Sequence, residues 1–377
     1  MRHPALAFSL LALLLGGCPL LPAATPEAER VAPAPATDTT PSQAAERLQR
    51  ILDAAVTAQD IPGAVVALVG GPGERTLASG WADLAAERVM VTGDRLRIGS
   101  ITKTYVAAVV LQLWAEGELD LEDTVADWLP ELADEFPQAG PITLHQLLNH
   151  TSGLADYATD DFYAAVEERD SEEPWTADEA LVYAYDLEPL DEPGAAHHYS
   201  NTNYLLLERV IEAVTEDSLA VAVRSRLLEP LGLDDTFLEH REPLPKELAE
   251  GYQDLDGDGE LDGTRDYDDG LGLGDGGLVA TALDVARWGR ALLTPDAVLD
   301  AATLEVLQTD LVDDGEGAEY GLGVMRWDTE WGEAWGHTGS MQGFQSTLWY
   351  LPQFDLAIAV LINAGDDGDA EAIAEAF

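Results

Sequence analysis

The chain has 377 residues, 46% of them hydrophobic, which is enough for one large core or two closely joined domains. Acidic residues outnumber basic ones 71 to 19, for a net charge of −52, and they are spread along the whole length. Phosphate recognition needs clustered Lys and Arg, so nucleic acid and anionic membrane surfaces are excluded as partners, and the charge reads as a solvated acidic surface.

The N-terminus, "MRHPALAFSLLALLLGGC", has a basic start, an apolar run over 5–15 and then Gly16, Gly17 and Cys18. The run is too short to span a bilayer and reads as an export signal over 1–18. "LGGC" resembles the bacterial lipobox, so Cys18 is expected to carry a lipid and to place the protein in the periplasm or at the cell surface. Cys18 is the only cysteine, which rules out a disulfide within the chain. Residues 19–42 are rich in Pro, Ala and Thr without an apolar period and read as a tether.

The folded part is expected over 43–377. Leu48, Ile51, Leu52 and Ala55 have helical spacing. "GAVVALVGG" and "RTLASGWADL" read as two strands joined by a Gly-Pro-Gly turn. A helix carrying Ser100 and Lys103 follows, then a mainly helical stretch over about 119–250. Thr281 is a good N-cap for another helix, with Val285, Trp288 and Leu292 on its apolar face. "EYGLGVMRW", "AWGHTGS", "FQSTLWYL" and "LAIAVLIN" read as strands, and "DAEAIAEAF" as a short helix. Strands at both ends with helices between imply a mixed α/β (α+β) architecture: an antiparallel sheet closed by distant segments, with an inserted helical subdomain and a cleft between them.

Three short stretches carry chemistry. Lysine occurs only at Lys103 and Lys246, and one of the two stands three residues after Ser100. Residues three apart share a helix face, so the amine can reach the hydroxyl. It can take the serine's proton only when neutral, and apolar surroundings lower a lysine's reference pKa of about 10.4. Val106, Ala107 and Val110 supply such a setting. Tyr199 and Asn201 precede an apolar helix: a tyrosine near a cation can pass a proton, and an asparagine can bind an amide. His337, Thr338 and Gly339 precede a core strand, where glycine lets backbone amides approach a substrate. Each stretch alone is a weak signal.

In this order, "SITK", "YSN" and "HTG" resemble the motif triplet of the serine β-lactamase and penicillin-binding protein superfamily. The likeness is to its class C branch, which includes D-alanyl-D-alanine carboxypeptidases, class C β-lactamases and related esterases. "LRIGSITKTY", "ITLHQLLNHTSGL", "YSNTNYLLL" and "GGLVATALDVARWGRALL" extend the resemblance over nearly the whole domain. It implies a β-lactamase/DD-peptidase-like fold and a serine hydrolase that needs no cofactor for catalysis. Ser100 would be the acylated nucleophile, and Lys103 and Tyr199 would share the general-base task. Asn201 would hold the substrate's amide. The backbone N–H groups of Ser100 and Ser340 would form the oxyanion hole, with His337, Thr338 and Gly339 along the substrate. The expected substrate is a small molecule or peptide carrying an amide or ester, and the expected state is a monomer. His337 departs from the Lys-Thr-Gly of β-lactamases: a neutral imidazole attracts the carboxylate of a penicillin less than an ammonium does, so β-lactam hydrolysis is expected to be weak. The alternative is a penicillin-recognising protein that binds without turnover as a sensor at the cell envelope.

A further pattern lies in an Asp/Gly-rich insert over about 254–270. Asp254, Asp256, Asp258 and Asp262 fall at positions one, three, five and nine of an EF-hand-like calcium loop, with Glu260 among them and Gly259 at the turn. Position twelve is Arg265 rather than an acid, and flanking helices are not evident. A structural calcium is the expectation, set against an acidic surface loop.

Overall fold

The structure is a computed structural model that describes residues 41–377 apart from 72, 170–172, 246–247, 268–271, 316 and 366–367. Cys18, the export signal and all but the last two residues of the expected tether lie outside the described residues. Helix α1, Pro41–Gln59, takes in those last two. Strands β1 (Gly63–Gly70) and β2 (Gly73–Asp83) form a hairpin. Helix α2 (Thr102–Glu116) and helix α3 (Thr202–Thr215) carry two of the three expected motifs at their N-terminal ends. Helix α4 (Ala282–Leu292) starts as expected at Thr281, whose side chain accepts from Asp284 N–H. Strands β3 (Met325–Thr329), β4 (Gly332–Met341), β5 (Phe344–Leu351) and β6 (Leu356–Ile362) and helix α5 (Ala370–Glu375) complete the chain.

Nine strands, counted among the described residues, form one antiparallel sheet in the order Arg88–Val89, β2, β1, β6, β5, β4, β3, Glu319–Tyr320, Val312–Asp313. The first long strand therefore pairs with the last, Ala64 opposite Ile362. β1 and β6 are apolar along nearly their whole length because both faces are covered, α1 and α5 on one side and α4 on the other. The stretch read as one strand over 319–327 is two, because the chain turns through Gly321–Val324 between them.

Between the sheet's halves lies the inserted region, whose helices run from Val125 to Leu231. A small second sheet joins Leu96–Arg97, Leu278–Ala280 and Phe237–Leu238. Helix α2 is buried almost all round, which is why its sequence lacks a polar face. Among the described residues no helix is long and apolar enough to cross a membrane.

Candidate active site

Ser100 sits in a tight turn, Gly99–Ile101, just before α2. The turn is pinned from behind. Ile98 N–H donates to Leu278 O, and Ser346 Oγ donates to Ile98 O. Arg97 is buried in an ion pair with Glu239, Nε to Oε2 at 2.9 Å, and donates to three carbonyls of the 264–267 segment. Gly99 has φ +49°, and a Cβ there would stand 2.8 Å from Ser340 N. Strand β4 thus runs directly over the turn. Gly339 is equally tight: a Cβ there would stand 2.1 Å from Ile98 O. The two glycines let the Ser340 backbone lie against Gly99, the residue next to Ser100.

Lys103 is fully buried and its three partners are all acceptors: Ser100 Oγ at 2.9 Å, Asn201 Oδ1 at 2.7 Å and the Asp275 carbonyl at 2.6 Å. Three acceptors satisfy an ammonium. A neutral amine would donate to Asn201 and Asp275 and turn its lone pair to the serine hydroxyl. Val106, Ala107 and Val110 are buried beside it, as their sequence suggested.

Tyr199 is 39% exposed, and its ring centre lies 5.0 Å from Lys103 Nζ. Asn201 is less free than expected. Its Oδ1 is taken by Lys103, and its Nδ2 donates to Asp156 Oδ2 at 2.9 Å, which leaves one N–H for a substrate. Asp275, buried, has its carboxyl pushed up by that burial and accepts from the Tyr157 hydroxyl at 2.9 Å.

His337 is buried rather than presented as a cation. Its Nδ1–H donates to Thr338 O at 2.6 Å, and Nε2 accepts from the Tyr320 hydroxyl at 2.9 Å. Burial, helped by the charge of Lys103, lowers its pKa to about 3, so the ring is neutral near pH 7.

Ser100, Tyr199, His337, Thr338, Gly339 and Ser340 line one cleft of ≈ 720 Å³. Its lining also includes His197, His198, Asp314, Asp369 and Glu371, and none of the described lining residues is a lysine or arginine.

The 150–157 segment, "HTSGLADY", had no role in the sequence reading beyond its likeness to a family phrase. It cradles the Tyr199–Asn201 turn: Ser200 N–H donates to His150 Nδ1, Ser200 Oγ and Thr202 Oγ1 donate to Ala155 O, and Asp156 holds Asn201. Tyr320 and Asp275 were also missed. The polar run Asn149, His150, Thr151 and Ser152, straight after the apolar stretch of a short helix, was the available signal.

The Asp-rich insert is a hairpin, Tyr252–Gln253 paired with Asp262–Gly263, not a loop between helices. Asp254, Asp256 and Asp262 bring carboxylate oxygens within 4.8 Å of one another. Asp258 and Glu260 stay outside that group, and an Asp258 oxygen accepts from Glu260 N–H. Arg265, at the twelfth position, turns away to Asp83 and Glu250.

The profile of the beta-lactamase family matches residues 48–376. Penicillin-binding protein 4* of Bacillus subtilis is 27% identical over 343 residues, 86% of this chain and 73% of its own length. A D-aminopeptidase of Brucella anthropi is 28% identical over 80% of this chain, which spans 56% of that enzyme. Among solved structures, a D-stereospecific amidohydrolase from Streptomyces sp. superposes with a TM-score of 0.77 at 33% identity, covering 88% of this chain and 97% of its own.

Proposed function

The chain belongs to the beta-lactamase family of serine hydrolases, and from that premise we propose that it cleaves an amide, peptide or ester bond through an acyl-enzyme on Ser100. The observation that carries this reading is the hydrogen bond between Lys103 Nζ and Ser100 Oγ at the mouth of a cleft, with the other two donors of the lysine held by Asn201 and Asp275. In this scheme the Ser100 proton passes to the base that Lys103 and Tyr199 share, as Oγ attacks the carbonyl carbon. The carbonyl oxygen, now an oxyanion, is met by the N–H groups of Ser100 and Ser340. The proton goes to the leaving amine or alcohol as its bond to carbon breaks, and water repeats the sequence to free the acid. Asn201 holds the substrate amide through its remaining N–H. His337, Thr338 and Gly339 form the wall along which the substrate lies, and no cofactor enters the scheme.

The cleft also bears on the substrate. With a neutral His337, with Asp314, Asp369 and Glu371 in its lining and with no lysine or arginine among the described lining residues, it offers a substrate carboxylate little attraction and an amino group some. A D-amino acid amide, a short peptide with a free amine or a neutral ester fits that balance better than a penicillin or a peptide ending in a free carboxylate. The names of the D-aminopeptidase and D-stereospecific amidohydrolase relatives support the same choice.

We read the protein as exported and held by a lipid on Cys18, as a monomer, with a structural calcium on the Asp254 hairpin. A fluorescent fluorophosphonate should label the parent at Ser100 and leave Ser100→Ala unlabelled; equal labelling of both would sink the nucleophile. Parallel assays on D- and L-amino acid amides, p-nitrophenyl esters, D-Ala-D-Ala peptides and nitrocefin rank the substrates. Acylation by penicillin without turnover of any of them would favour the binding protein.

A further inference from the structure

His150 lies in the core beside the site, outside the cleft, and the chemistry above does not use it. It is fully buried and has φ +58°, a left-handed backbone that a residue with a Cβ adopts only where its surroundings enforce it. Its neighbours give that strain a purpose. The His150 carbonyl accepts from His198 N–H at 2.9 Å, and its Nδ1 accepts from Ser200 N–H at 3.1 Å. The residue therefore grips the backbone on both sides of Tyr199. Its ring also stacks on the Tyr199 ring, centres 4.2 Å apart and planes 28° apart. Asn203 Nδ2 donates to the same Nδ1 at 3.0 Å, which places the ring hydrogen on Nε2, a buried atom with no partner among the described residues. A buried donor left unmade is costly, so packing alone would favour an apolar residue here.

Tyr199 needs such support. It is 39% exposed, so burial does not fix it, yet a proton-passing phenol must be held to within a fraction of an ångström. Lys103 lies on the Tyr199 ring at 5.0 Å, and His150 backs that ring by stacking.

We propose that His150 is a positioning residue for the hydrolase reaction: it sets the Tyr199 phenol at Ser100 by holding residues 198 and 200 and by backing the ring. It touches neither substrate nor nucleophile and acts through Tyr199. The inference rests on the serine-hydrolase reading and specifies who holds its second base. The titratable groups facing the imidazole are Lys103, His197 and His337, and the rings of Tyr199, Tyr204 and Tyr320 lie around it.

Two substitutions in the full chain separate the two parts of the grip. His150→Phe keeps a ring against Tyr199 and removes the acceptor. His150→Asn offers Oδ1 near the place of Nδ1 and removes the ring. Initial rates of fluorophosphonate labelling and steady-state turnover of a p-nitrophenyl ester are measured per labelled serine, across pH, with melting followed alongside. His150→Phe should lose about ten- to a hundred-fold in kcat with KM changed by less than about three-fold, and the basic limb of its pH profile should move, because a misplaced general base forfeits part of the roughly 10²–10⁴-fold such a group supplies. His150→Asn should recover part of that loss. A folded His150→Phe with parental kcat and pH profile overturns the proposal. If His150→Phe does not fold, a folded His150→Asn decides: a lowered kcat with a moved pH profile supports the proposal, and parental values overturn it. A parent that is not labelled at Ser100 sinks the hydrolase reading, and this proposal with it. A labelled parent alongside an unimpaired variant sinks this proposal alone.

Discussion

Asp156 holds Asn201 with a single oxygen: Oδ2 accepts from the side-chain Nδ2 at 2.9 Å and from the backbone N–H at 3.0 Å. The contact fixes which way the amide points, because only one orientation gives Asp156 a donor and Lys103 an acceptor. Asp156→Ala should let the amide turn and set two donors against each other at Lys103. A net hydrogen bond to a charged group is worth about 1.5–3 kcal/mol, so kcat/KM should fall by roughly ten- to a hundred-fold with the fold retained. Steady-state kinetics beside a thermal melt check this; an unchanged kcat/KM would detach Asp156 from the site.

Lys103→Met keeps much of the volume and removes all three hydrogen bonds. Asn201 Oδ1 and Asp275 O would be left buried without their donor, at about 1–3 kcal/mol for each unmet group. The variant should melt several degrees lower and show no fluorophosphonate labelling. Labelling at the parental rate would remove Lys103 from the chemistry.

Acid should weaken the fold through His337. A free imidazole takes a proton near pH 6.5, whereas the folded one holds off to about 3. Between those values the unfolded chain binds the extra proton, so the contribution is whole above pH 6.5 and is lost as pH falls toward 3. One such group gives a slope of up to about 1.4 kcal/mol per pH unit. Urea melts across this window should show a shallower slope for His337→Asn. His150, lowered mainly by burial, acts in the same sense.

Glu208 has the opposite sign. Burial pushes its carboxyl up to about 8, and it accepts from Gly274 N–H at 2.7 Å. From its ordinary value near 4.3 up to about 8 the folded state keeps a proton that the unfolded chain has released, so stability falls as pH rises through that window. Glu208→Gln retains the acceptor for Gly274 and removes the titration. Its melting point should match the parent at about pH 4 and exceed it increasingly toward pH 8. Parallel curves would show that the carboxyl does not titrate in this way.

Calcium should raise the melting point of the parent, and chelator should reverse the shift. Asp256→Asn, which removes one of the three gathered carboxylates, should abolish it, while Asp258→Asn should have a smaller effect. A shift that survives in Asp256→Asn places the ion elsewhere.

Much of the site was legible because its chemistry is written in side chains at fixed spacings. Ser100 and Lys103 lie three apart on one turn, and that spacing alone makes their contact possible. The rest was hidden for physical reasons. The acceptor at Asp275 is a backbone carbonyl, which any residue could supply. Asp156 and His150 come from a loop far from the turn they hold, and only the fold brings them there. The freedom expected of Asn201 was overstated because its acceptor and one of its two donors are spent inside the protein. The aspartate spacing suggested a calcium-type loop without evident flanking helices, and strand pairing of Tyr252–Gln253 with Asp262–Gly263 closes that segment as a hairpin. The paired ends of the sheet were legible from apolar runs, whereas the break at Gly321–Val324 depends on tertiary contacts that periodicity does not report.

The pairing of β1 with β6 has a consequence for how the protein comes into being. Ala64 meets its partner only when Ile362 has been made, so a growing chain leaves the ribosome with the centre of its sheet unfilled. The turn of Ser100 is backed by β4 and β5, and those strands need β6 beside them. Copies that stop short of β6 should therefore fail to assemble the Ser100 turn, and fluorophosphonate labelling of Ser100 should appear only in chains that contain β6.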